Sequence, residues 1–416
     1  MRIAIVGAGV SGLTAAYLLH RDHEITVLEA DDRLGGHANT VRVDTAEETH
    51  DLDTGFIVFN DRNYPNFERL MARIGVATQP SEMSFSVSDG RGAFEYSSSS
   101  LNGLFANRAH LLNGRFRRML AEIPRFQRAA AELLCAQDEH LSLRDWLQQQ
   151  GFSDHFVERL IIPQVSAVWS TDPRQLSTFP AVFLARFFDN HGMLSLRDRP
   201  RWSTITGGSA TYVSALTSGF RSRIHLRSPV TSITRAQDGV LLTVPGSEQL
   251  RFDHVVIATH SDQALAMLSD ASTRELEILG AIPYQANEAI LHTDRKLLPA
   301  RPRAWASWNY HLMDEPRGRT TVTYHLNRLQ DLRSHQQFCV TLNLSERVDP
   351  ARVIRRLAYA HPVYTPAGVA AQGRFDEISG AGGGRTHFCG AYWGWGFHED
   401  GVRSGLRVAE SFGARL

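Results

Sequence analysis

The sequence has few of the residues that build metal centres, disulfide frameworks or membrane spans. Its 416 residues include three cysteines, Cys135, Cys339 and Cys389, which lie far apart along the chain. This odd, widely spaced set offers neither a CxxC redox pair nor a zinc-binding pattern, and it is typical of a reducing compartment. No uninterrupted run of about eighteen apolar residues is present, so the sequence predicts no transmembrane helix. We therefore expect a cytoplasmic protein without a metal site.

The sequence also lacks an excess of either charge. Lysine plus arginine and aspartate plus glutamate each number 44, so no net field attracts nucleic acid, and we expect no nucleic-acid partner. Lysine itself is nearly absent, because Lys296 is the one lysine of the chain. Hydrophobic residues make up 43%, which is enough for the large cores of two or three domains.

The chain opens with the pattern of a dinucleotide-binding unit. An apolar strand from Ile3 runs into a glycine-rich loop, a helical pattern follows, and a second apolar strand ends at Glu29. The loop reads Gly7-Ala8-Gly9-Val10-Ser11-Gly12. Its first glycine permits a sharp turn, its second leaves the backbone open to a pyrophosphate, and its third lets the helix pack closely on the strand. Because Glu29 can accept hydrogen bonds from a ribose, we expect an adenine dinucleotide here.

A second glycine motif follows this acid directly. The chain continues Ala30-Asp31-Asp32-Arg33-Leu34-Gly35-Gly36-His37. An arginine at this spacing supplies a fixed cation near the pyrophosphate, and the glycine pair allows another close backbone approach to the cofactor. With this extension the sequence resembles the flavin-containing amine oxidase and phytoene desaturase superfamily. The resemblance implies that the dinucleotide is FAD, bound in part by Ala30, Arg33, Gly35, Gly36 and His37.

The resemblance assigns further segments to the same cofactor. The acid-x-Gly segment Asp53-Thr54-Gly55-Phe56 is expected beside the flavin ring, although it also suits an ordinary turn before a strand. Val230 is expected beside the adenine. The end of a fully apolar strand, at Ala258-Thr259, is expected near the pyrophosphate.

The C-terminal stretch carries the second half of the predicted site. A strand ends near Gly390, an aromatic and glycine-rich loop follows, and a helix runs on from there. In the resembled superfamily this region delivers a carboxylate to the ribityl chain, a role that falls here to Glu399 or Asp400. The helix start at Gly401 and Val402 then points to flavin O2, where a helix N-terminus stabilises the reduced ring. We therefore predict that both ends of the chain meet on one FAD.

These motifs predict an α/β fold. The resemblance implies a GR2-type, Rossmann-like FAD-binding domain interleaved with an α+β substrate domain made of a mixed sheet and helices. We assign residues 1–75, 200–265 and 380–416 to the FAD-binding domain. The substrate domain then takes residues 76–199 and 266–379, with a helical subdomain at about 101–170.

Local patterns add detail to this outline. Apolar residues alternate on both sides of Asp89-Gly90, which predicts a β-hairpin. Helices are expected from Tyr64 to Ile74 with Asn63 as N-cap, and after Asp349, because Pro350 suits a first helical turn. Further strands of the second domain are expected at 286–292, 304–311, 322–327 and 338–342.

Arginine is concentrated in one helical stretch. Between residues 101 and 130 there is one acid, Glu122, against Arg108, Arg115, Arg117, Arg118, Arg125 and Arg128. A basic amphipathic stretch of this kind can lie on an anionic membrane surface. It also suits the solvated face of a helix that packs on the core. The first interpretation would place the protein peripherally at the inner face of the membrane.

The substrate is inferred from a closer resemblance. Amine oxidases of the superfamily usually place a lysine near flavin N5, whereas Lys296 follows a strand in a pattern typical of a surface turn. Segments such as 190–192, 305–310 and 394–401 resemble a bacterial branch of flavin oxidoreductases similar to the amino-terminal flavin domain of plant cyclopropane fatty acid synthases. The resemblance implies a hydrophobic or lipid substrate, whose acyl chain is oxidised, desaturated or isomerised by hydride transfer to flavin N5.

Two alternative functions stay open. One is an oxidase or dehydrogenase of an amine or amino acid, which an aromatic cage and a carboxylate-binding arginine at the flavin would favour. The other is a non-catalytic flavoprotein that partners a membrane-lipid methyltransferase. Tyr310, Trp395 and His398 are the candidate catalytic residues, although aromatic and histidine side chains in such segments also suit core packing.

Overall fold

The structure is a computed structural model that describes residues 1–45, 48–136, 141–169, 180–194, 199–315, 317–380 and 384–416. Within these ranges the chain forms the predicted α/β fold, built around a five-stranded and a seven-stranded sheet. Within the predicted helical stretch 101–170, residues 137–140 and 170 lie outside the described residues.

The described residues form strands and helices with the following bounds. The strands are β1 (Arg2–Val6), β2 (Glu24–Leu28), β3 (Thr40–Asp44), β4 (Thr49–Asp53), β5 (Phe59–Asn60), β6 (Thr78–Pro80), β7 (Phe85–Ser88), β8 (Glu95–Ser97), β9 (Trp202–Ile205), β10 (Ile224–His225), β11 (Ser232–Ala236), β12 (Gly239–Thr243), β13 (Leu250–Phe252), β14 (His254–Ile257), β15 (Tyr284–His292), β16 (Trp308–His311), β17 (Val322–His325), β18 (Cys339–Leu342), β19 (Val353–Pro362) and β20 (Thr386–Phe388). The helices are α1 (Val10–Leu19), α2 (Pro65–Ile74), α3 (Leu101–Leu104), α4 (Gly114–Ala136), α5 (Leu143–Gln149), α6 (Asp154–Phe156), α7 (Ile162–Trp169), α8 (Ala181–Asn190), α9 (Ala210–Thr217), α10 (Ser261–Met267), α11 (Thr273–Gly280), α12 (Leu326–Leu329), α13 (Pro366–Gln372) and α14 (His398–Ser411).

The five-stranded sheet is parallel throughout and has the order β10-β2-β1-β14-β20. Its central strand β1 is buried on both faces, which explains why Ile3, Ala4 and Ile5 are all apolar. Since parallel strands end at the same edge, the segments that follow β1, β2, β14 and β20 are neighbours. The predicted cofactor-binding segments after these strands therefore share one edge of the sheet.

The seven-stranded sheet is mixed and has the order β19-β15-β18-β17-β16-β7-β8. The pair β16 and β7 is parallel, and the other neighbouring pairs are antiparallel. The predicted hairpin is confirmed as β7 and β8. A large apolar cluster joins this sheet to helices α4, α5, α7 and α8. This sheet and these helices are the predicted α+β part of the fold.

The predicted helix after Asp349 is wrong. A single 3-10 turn, Pro350–Arg352, follows the Asp349 cap, and the chain then extends as the ten-residue strand β19. The β-branched residues Val353 and Ile354 favour extended backbone, and pairing with the whole length of β15 stabilises it. The tertiary partner overrides the local helix signal.

Two smaller expectations also differ from the structure. Tyr64, rather than Asn63, is the N-cap of α2, and the backbone N–H of Asn63 donates to the Asn60 side chain at 2.9 Å. The strand expected from residue 304 begins only at Trp308, since Pro302–Ala304 is a 3-10 turn. Among the described residues no helix is long and apolar enough to cross a bilayer.

Candidate functional site

The glycine loop after β1 has the geometry that its sequence predicts. Gly7 has a φ of +101°, and a Cβ there would lie 2.8 Å from the carbonyl oxygen of Ala258. A Cβ on Gly12 would lie 2.1 Å from the Gly7 oxygen, so α1 can approach the loop only because this residue lacks a side chain. A Cβ on Gly9 would meet no atom within 4 Å. The open space therefore lies where a pyrophosphate is expected.

The first turn of α1 is available to an anion. The helix begins at Val10 and Ser11, with Gly9 as an N-cap that makes no side-chain capping bond, and its first turn has no acidic residue. Its unpaired N–H groups suit a phosphate. A Cβ on Gly401 would lie 2.6 Å from Val10 Cγ1, so the start of α14 packs against the start of α1. The structure thus brings both ends of the chain together, as predicted.

The second glycine motif lies directly on the first. The Gly35 N–H donates to the Ala8 carbonyl at 2.8 Å. A Cβ on Gly36 would lie 3.3 Å from the Gly9 Cα, and Gly35 and Gly36 have φ values of +104° and +58°. Arg33 is half-buried beside them, with its guanidinium 3.4 Å from the Ala38 carbonyl. Both motifs therefore border one space.

Glu29 connects the end of β2 to this space. One carboxylate oxygen accepts the Ala8 N–H at 2.7 Å, and the other accepts the Asp31 N–H at 2.9 Å. Each oxygen keeps a further lone pair that a ribose hydroxyl can use. Ala30 follows at the exposed rim.

His37 joins the second motif to the segment Thr54-Gly55-Phe56. The Phe56 N–H donates to the His37 carbonyl at 2.7 Å, and a Cβ on Gly55 would lie 2.2 Å from the same oxygen. The Thr54 hydroxyl lies 2.9 Å from the Tyr359 hydroxyl. Burial lowers the pKa of His37 well below its ordinary value, so the ring is neutral. Its Nε2 is buried without a hydrogen-bond partner among the described residues.

Asp53 is part of the framework rather than of the open space. Its carboxylate accepts bonds from the Ser209 N–H at 2.9 Å and from the Thr40 hydroxyl at 2.6 Å, and so holds the start of α9 against β3 and β4. Burial raises its pKa to about 6. For Asp53 the structure favours the turn interpretation over a flavin contact.

The residues predicted beside the adenine and the pyrophosphate lie near β14. The Ala258 N–H continues the sheet by donating to the Val6 carbonyl at 2.8 Å. The Ala258 carbonyl lies against Gly7. A Cβ on Gly7 would also lie 3.3 Å from Thr259. Val230 is buried in the apolar cluster that contains Leu28 and β14 residues. Ala258 and Thr259 thus border the glycine loop, whereas Val230 lies in the apolar cluster beneath β14.

Both candidate carboxylates of the C-terminal segment bind protein groups. Glu399 accepts the Asn66 side-chain N–H at 2.7 Å and the Phe67 N–H at 2.9 Å, which caps α2. Asp400 accepts the Trp395 N–H at 2.9 Å and pairs with Arg403 at 2.7 Å. These contacts use the carboxylates to satisfy helix and loop N–H groups. Their contact with a ribityl chain stays a prediction.

The start of α14 lies earlier than expected. The helix begins at His398, and the Gly401 N–H already donates to the Phe397 carbonyl at 3.1 Å. Gly401 and Val402 therefore lie inside the helical hydrogen-bond ladder, and the free N–H groups belong to the residues before them. The predicted contact through the Val402 N–H therefore stays a prediction, and the free N–H groups of the first turn are the alternative donors. Gly390, by contrast, ends the sheet as predicted, with its N–H on the Ser404 hydroxyl at 3.0 Å.

His398 has the contacts of a packing residue. Its ring stacks on Phe56 with centroids 3.6 Å apart, and its Nε2 lies 2.9 Å from the Tyr212 hydroxyl. Burial lowers the pKa of His398 to about 3, so the ring is neutral. These contacts are those of a side chain that stabilises the core.

Trp395 belongs to an aromatic cluster, which we call the aromatic wall. Its members are Trp169, Phe183, Phe187, Tyr364 and Trp395. The centroids of Trp395 and Phe183 are 4.0 Å apart. The Tyr364 hydroxyl is buried and has no hydrogen-bond partner among the described residues. The wall adjoins the loop between β20 and α14, and so lies near the predicted flavin segments.

Tyr310 lies apart from these segments. It borders a cavity of about 240 Å³ together with His311 and Lys296, and none of the described residues predicted to bind FAD lines it. Lys296 is exposed in a 3-10 turn, as its sequence context predicts. The structure therefore does not join Tyr310 to the candidate site.

Comparison with known proteins identifies the family. The model of the flavin containing amine oxidoreductase family matches residues 10–326. The chain belongs to this family. Its cofactor is FAD, which confirms the prediction made from the two glycine motifs.

Relatives of this flavoprotein differ in activity. An L-amino-acid oxidase from Siganus canaliculatus is 25% identical over 309 residues, which cover 70% of the chain and 56% of the relative. The chain spans about half the length of the curated relatives that head this comparison. A solved structure of a redesigned putrescine oxidase has a TM-score of 0.70 at 15% identity, with 99% and 98% of the two chains covered. A CLA-producing fatty acid isomerase from P. acnes has a TM-score of 0.70 at 18% identity, with the same coverage.

The described residues fit FAD. The space in front of Gly9, the uncapped start of α1 and the free lone pairs of Glu29 suit a pyrophosphate and a ribose. The unpartnered Nε2 of His37 lies where the second motif and the Thr54-Gly55-Phe56 segment meet. A bound cofactor would give this nitrogen the partner that the protein does not provide.

Sequence reasoning missed the residues of this flavoprotein that surround His37. The rings of Tyr359, His361 and His260 lie 5.0, 5.3 and 6.0 Å from it. Two of them belong to β19, which was expected to be helical. The alternation of Leu357, Tyr359 and His361 was the available signal, because alternate residues of a strand share one face.

Proposed function

We propose that this flavoprotein is an FAD-dependent oxidoreductase that oxidises, desaturates or isomerises a lipid acyl chain. The bound flavin supplies a hydride acceptor. The observation that carries the proposal is the aromatic wall beside the loop that joins β20 to α14. Its side chains are apolar and packed on one another, and an apolar lining of this kind suits an acyl chain.

The charges of the described residues support an apolar substrate. No lysine or arginine side chain among them is fully buried, and Lys296 is exposed. A buried substrate carboxylate would need a cationic partner, whereas an acyl chain needs none. We therefore favour a substrate whose reacting part is a hydrocarbon.

Tyr364 provides one polar atom in this wall. Its hydroxyl is buried, and burial raises its pKa well above the ordinary value, so it keeps its proton. A protonated hydroxyl can donate a hydrogen bond to a single polar group of the substrate, such as an ester oxygen. We infer that it orients the chain rather than transferring a proton.

The fold is compatible with this activity. The fatty acid isomerase from P. acnes has the same fold, and the putrescine oxidase has it too. At 18% and 15% identity these likenesses concern the fold alone. The choice between lipid and amine therefore depends on the site.

Oxidation of an amine or amino acid is the second candidate. It is favoured by the relationship to the L-amino-acid oxidase, which covers 70% of this chain. This function would require a cation for the amino-acid carboxylate or a neutral amine bound against the aromatic wall. It places the same residues around a smaller, more polar substrate.

The experiment is a substrate comparison under anaerobic conditions. The holoprotein is mixed with phospholipids that carry unsaturated or cyclopropane acyl chains, with L-amino acids and with primary amines. Bleaching of the flavin absorption and mass spectrometry of the acyl chains are followed together, because an isomerase changes the chain without net reduction. Conversion of an acyl chain supports the proposal. Bleaching by amines or amino acids, with unchanged lipids, would replace it with the second candidate.

A further inference from the structure

Three leucines are exposed within one short segment. Leu101, Leu111 and Leu112 have 77%, 48% and 89% of their surface exposed. The described part of the chain exposes seven large apolar side chains in all, and the other four are scattered at Met1, Leu226, Leu276 and Ile354. Such a concentration within twelve residues differs from the single exposed apolar residues that are common on protein surfaces.

The backbone that carries Leu111 and Leu112 is firmly anchored. The Leu112 N–H donates to the Ala109 carbonyl at 3.1 Å, and the Asn113 side chain accepts the Arg115 N–H at 3.0 Å at the start of α4. The buried ring of His110 stacks on Phe116, with centroids 4.2 Å apart. The two leucines are therefore held outward by a packed structure and do not belong to a loose tail.

Exposed arginines flank these leucines. Arg108, Arg115 and Arg117 are exposed, and no acidic residue occurs between Glu95 and Glu122. Arg118 contributes less, because it pairs with Glu122 at 3.4 Å. We call residues 101–118 the leucine–arginine segment. Within eighteen residues it combines exposed apolar side chains with Arg108, Arg115 and Arg117, which have no acidic partner among the described residues.

We propose that the leucine–arginine segment binds the surface of an anionic lipid bilayer. The leucines enter the boundary between headgroups and acyl chains, and the arginines contact lipid phosphates. We favour a bilayer over a protein partner because the net positive charge of the segment complements anionic headgroups, and because its exposed large apolar residues are leucines without an exposed aromatic anchor among the described residues. The association is peripheral and reversible, since no described helix can span the membrane. This inference holds whichever substrate the flavin site accepts.

The test is sedimentation of the holoprotein with vesicles. Vesicles of phosphatidylcholine with phosphatidylglycerol are compared with vesicles of phosphatidylcholine alone, at low and at high salt. We expect most of the protein to pellet with the anionic vesicles at low salt, and binding to fall severalfold at high salt. Failure to pellet with anionic vesicles at low salt overturns the proposal.

Matched variants separate insertion from charge. The pair Leu111→Ser and Leu112→Ser is compared with Leu276→Ser, an exposed leucine outside the segment. The pair Arg115→Gln and Arg117→Gln is compared with the exposed pair Arg21→Gln and Arg221→Gln. Each pair within the segment should weaken binding by about tenfold or more, and the controls should leave it unchanged.

The remaining outcomes are equally decisive. Retention of the flavin absorption in every variant shows that the fold is intact. If the variant with Leu111→Ser and Leu112→Ser binds vesicles like the wild type, binding is purely electrostatic and insertion of the leucines is overturned. If the wild type ignores vesicles but dimerises through the leucines in light scattering, the surface is an interface between two copies instead.

Discussion

The carboxylate of Asp53 accepts hydrogen bonds from both the backbone N–H and the hydroxyl of Ser209, at 2.9 and 2.7 Å. This contact joins the end of β4 to the start of α9, across 156 residues of sequence. The side chain is 1% exposed, so its charge is separated from solvent. The junction between β4 and α9 therefore contains an ionisable group that is costly to ionise.

The pKa of Asp53 predicts an unusual pH dependence. Its folded-state pKa is about 6, against an ordinary value of 3.8. Between these values the folded state keeps a proton that the unfolded state releases, so the contribution of Asp53 to stability falls as pH rises. The asparagine of Asp53→Asn does not titrate, so its contribution to stability does not depend on pH. The unfolding free energy of the variant relative to that of the wild type should therefore rise by about 1 to 3 kcal/mol between about pH 4 and about pH 6.5.

Urea denaturation at several pH values checks this expectation. The difference in unfolding free energy between Asp53→Asn and the wild type removes the effect of the buried histidines, which titrate in both proteins. The exposed substitution Gln149→Asn changes no titratable group, so it is the control and should show a constant difference. A constant difference for Asp53→Asn as well would show that its carboxyl has an ordinary pKa in the folded protein.

Two glycines of the first loop should respond differently to substitution. A side chain on Gly9 enters open space, so Gly9→Val should fold but bind FAD at least about a hundredfold more weakly, because the side chain fills the pyrophosphate space. A Cβ on Gly12 meets the Gly7 backbone, so Gly12→Ala should destabilise the apoprotein by about 2 kcal/mol or more. Thermal unfolding of the apoproteins and titration with FAD measure the two effects. Equal loss of stability in both variants would contradict the assigned space.

Glu399 provides a test of the C-terminal assignment. Its carboxylate caps α2 through Asn66 and Phe67, so Glu399→Ala should lower the unfolding free energy by about 1 to 2 kcal/mol. Glu399→Gln keeps one acceptor oxygen and should lose less. FAD affinity of the folded protein should stay nearly unchanged. A large loss of FAD affinity at wild-type stability would instead support the ribityl contact predicted from the sequence.

His398 should be important for stability and not for catalysis. His398→Ala removes the stacking on Phe56 and the bond to Tyr212, and should destabilise the protein by about 2 to 4 kcal/mol. His398→Phe keeps a ring for stacking and should cost about 1 kcal/mol. The rate of flavin reduction by substrate, measured per bound FAD in a stopped-flow instrument, should be the same in both variants and the wild type. Slower reduction in His398→Phe would restore His398 as a catalytic residue.

The cofactor half of the site was predictable because its signals are local. Gly7, Gly9 and Gly12 each have the geometric role that their spacing implies, and Glu29 follows β2 as expected. Backbone requirements of this kind depend on residues that are close together in the sequence. The parallel order of the sheet then brings these segments to one edge.

The other half depends on contacts between distant residues. The strand β19 was expected to be helical, and it supplies Tyr359 and His361 beside His37 because it pairs with β15. Glu399 has a sequence that suits a cofactor carboxylate, yet its donors are Asn66 and Phe67. The pairing of β19 with β15 and the contacts of Glu399 cannot be predicted from the residues adjacent in sequence.

Two tryptophans of one loop give a matched test of the proposed substrate. Trp395 lies in the aromatic wall with its ring 4.0 Å from Phe183, whereas Trp393 packs on Phe375 at 4.9 Å, outside the wall. Trp395→Ala removes apolar surface from the proposed acyl-chain site, and Trp393→Ala removes a ring of the same size from the neighbouring core. Both should lose stability, by about 3 kcal/mol.

Only Trp395→Ala should change the handling of a lipid. Its kcat/KM for the acyl chain should fall by about ten- to a hundredfold, because a buried aromatic contact contributes about 1.5 to 3 kcal/mol to binding. Trp393→Ala should keep the wild-type value per bound FAD. The measurement is acyl-chain conversion followed by mass spectrometry at several lipid concentrations. If both variants lose activity in proportion to their stability, the wall is part of the core and the acyl chain binds elsewhere.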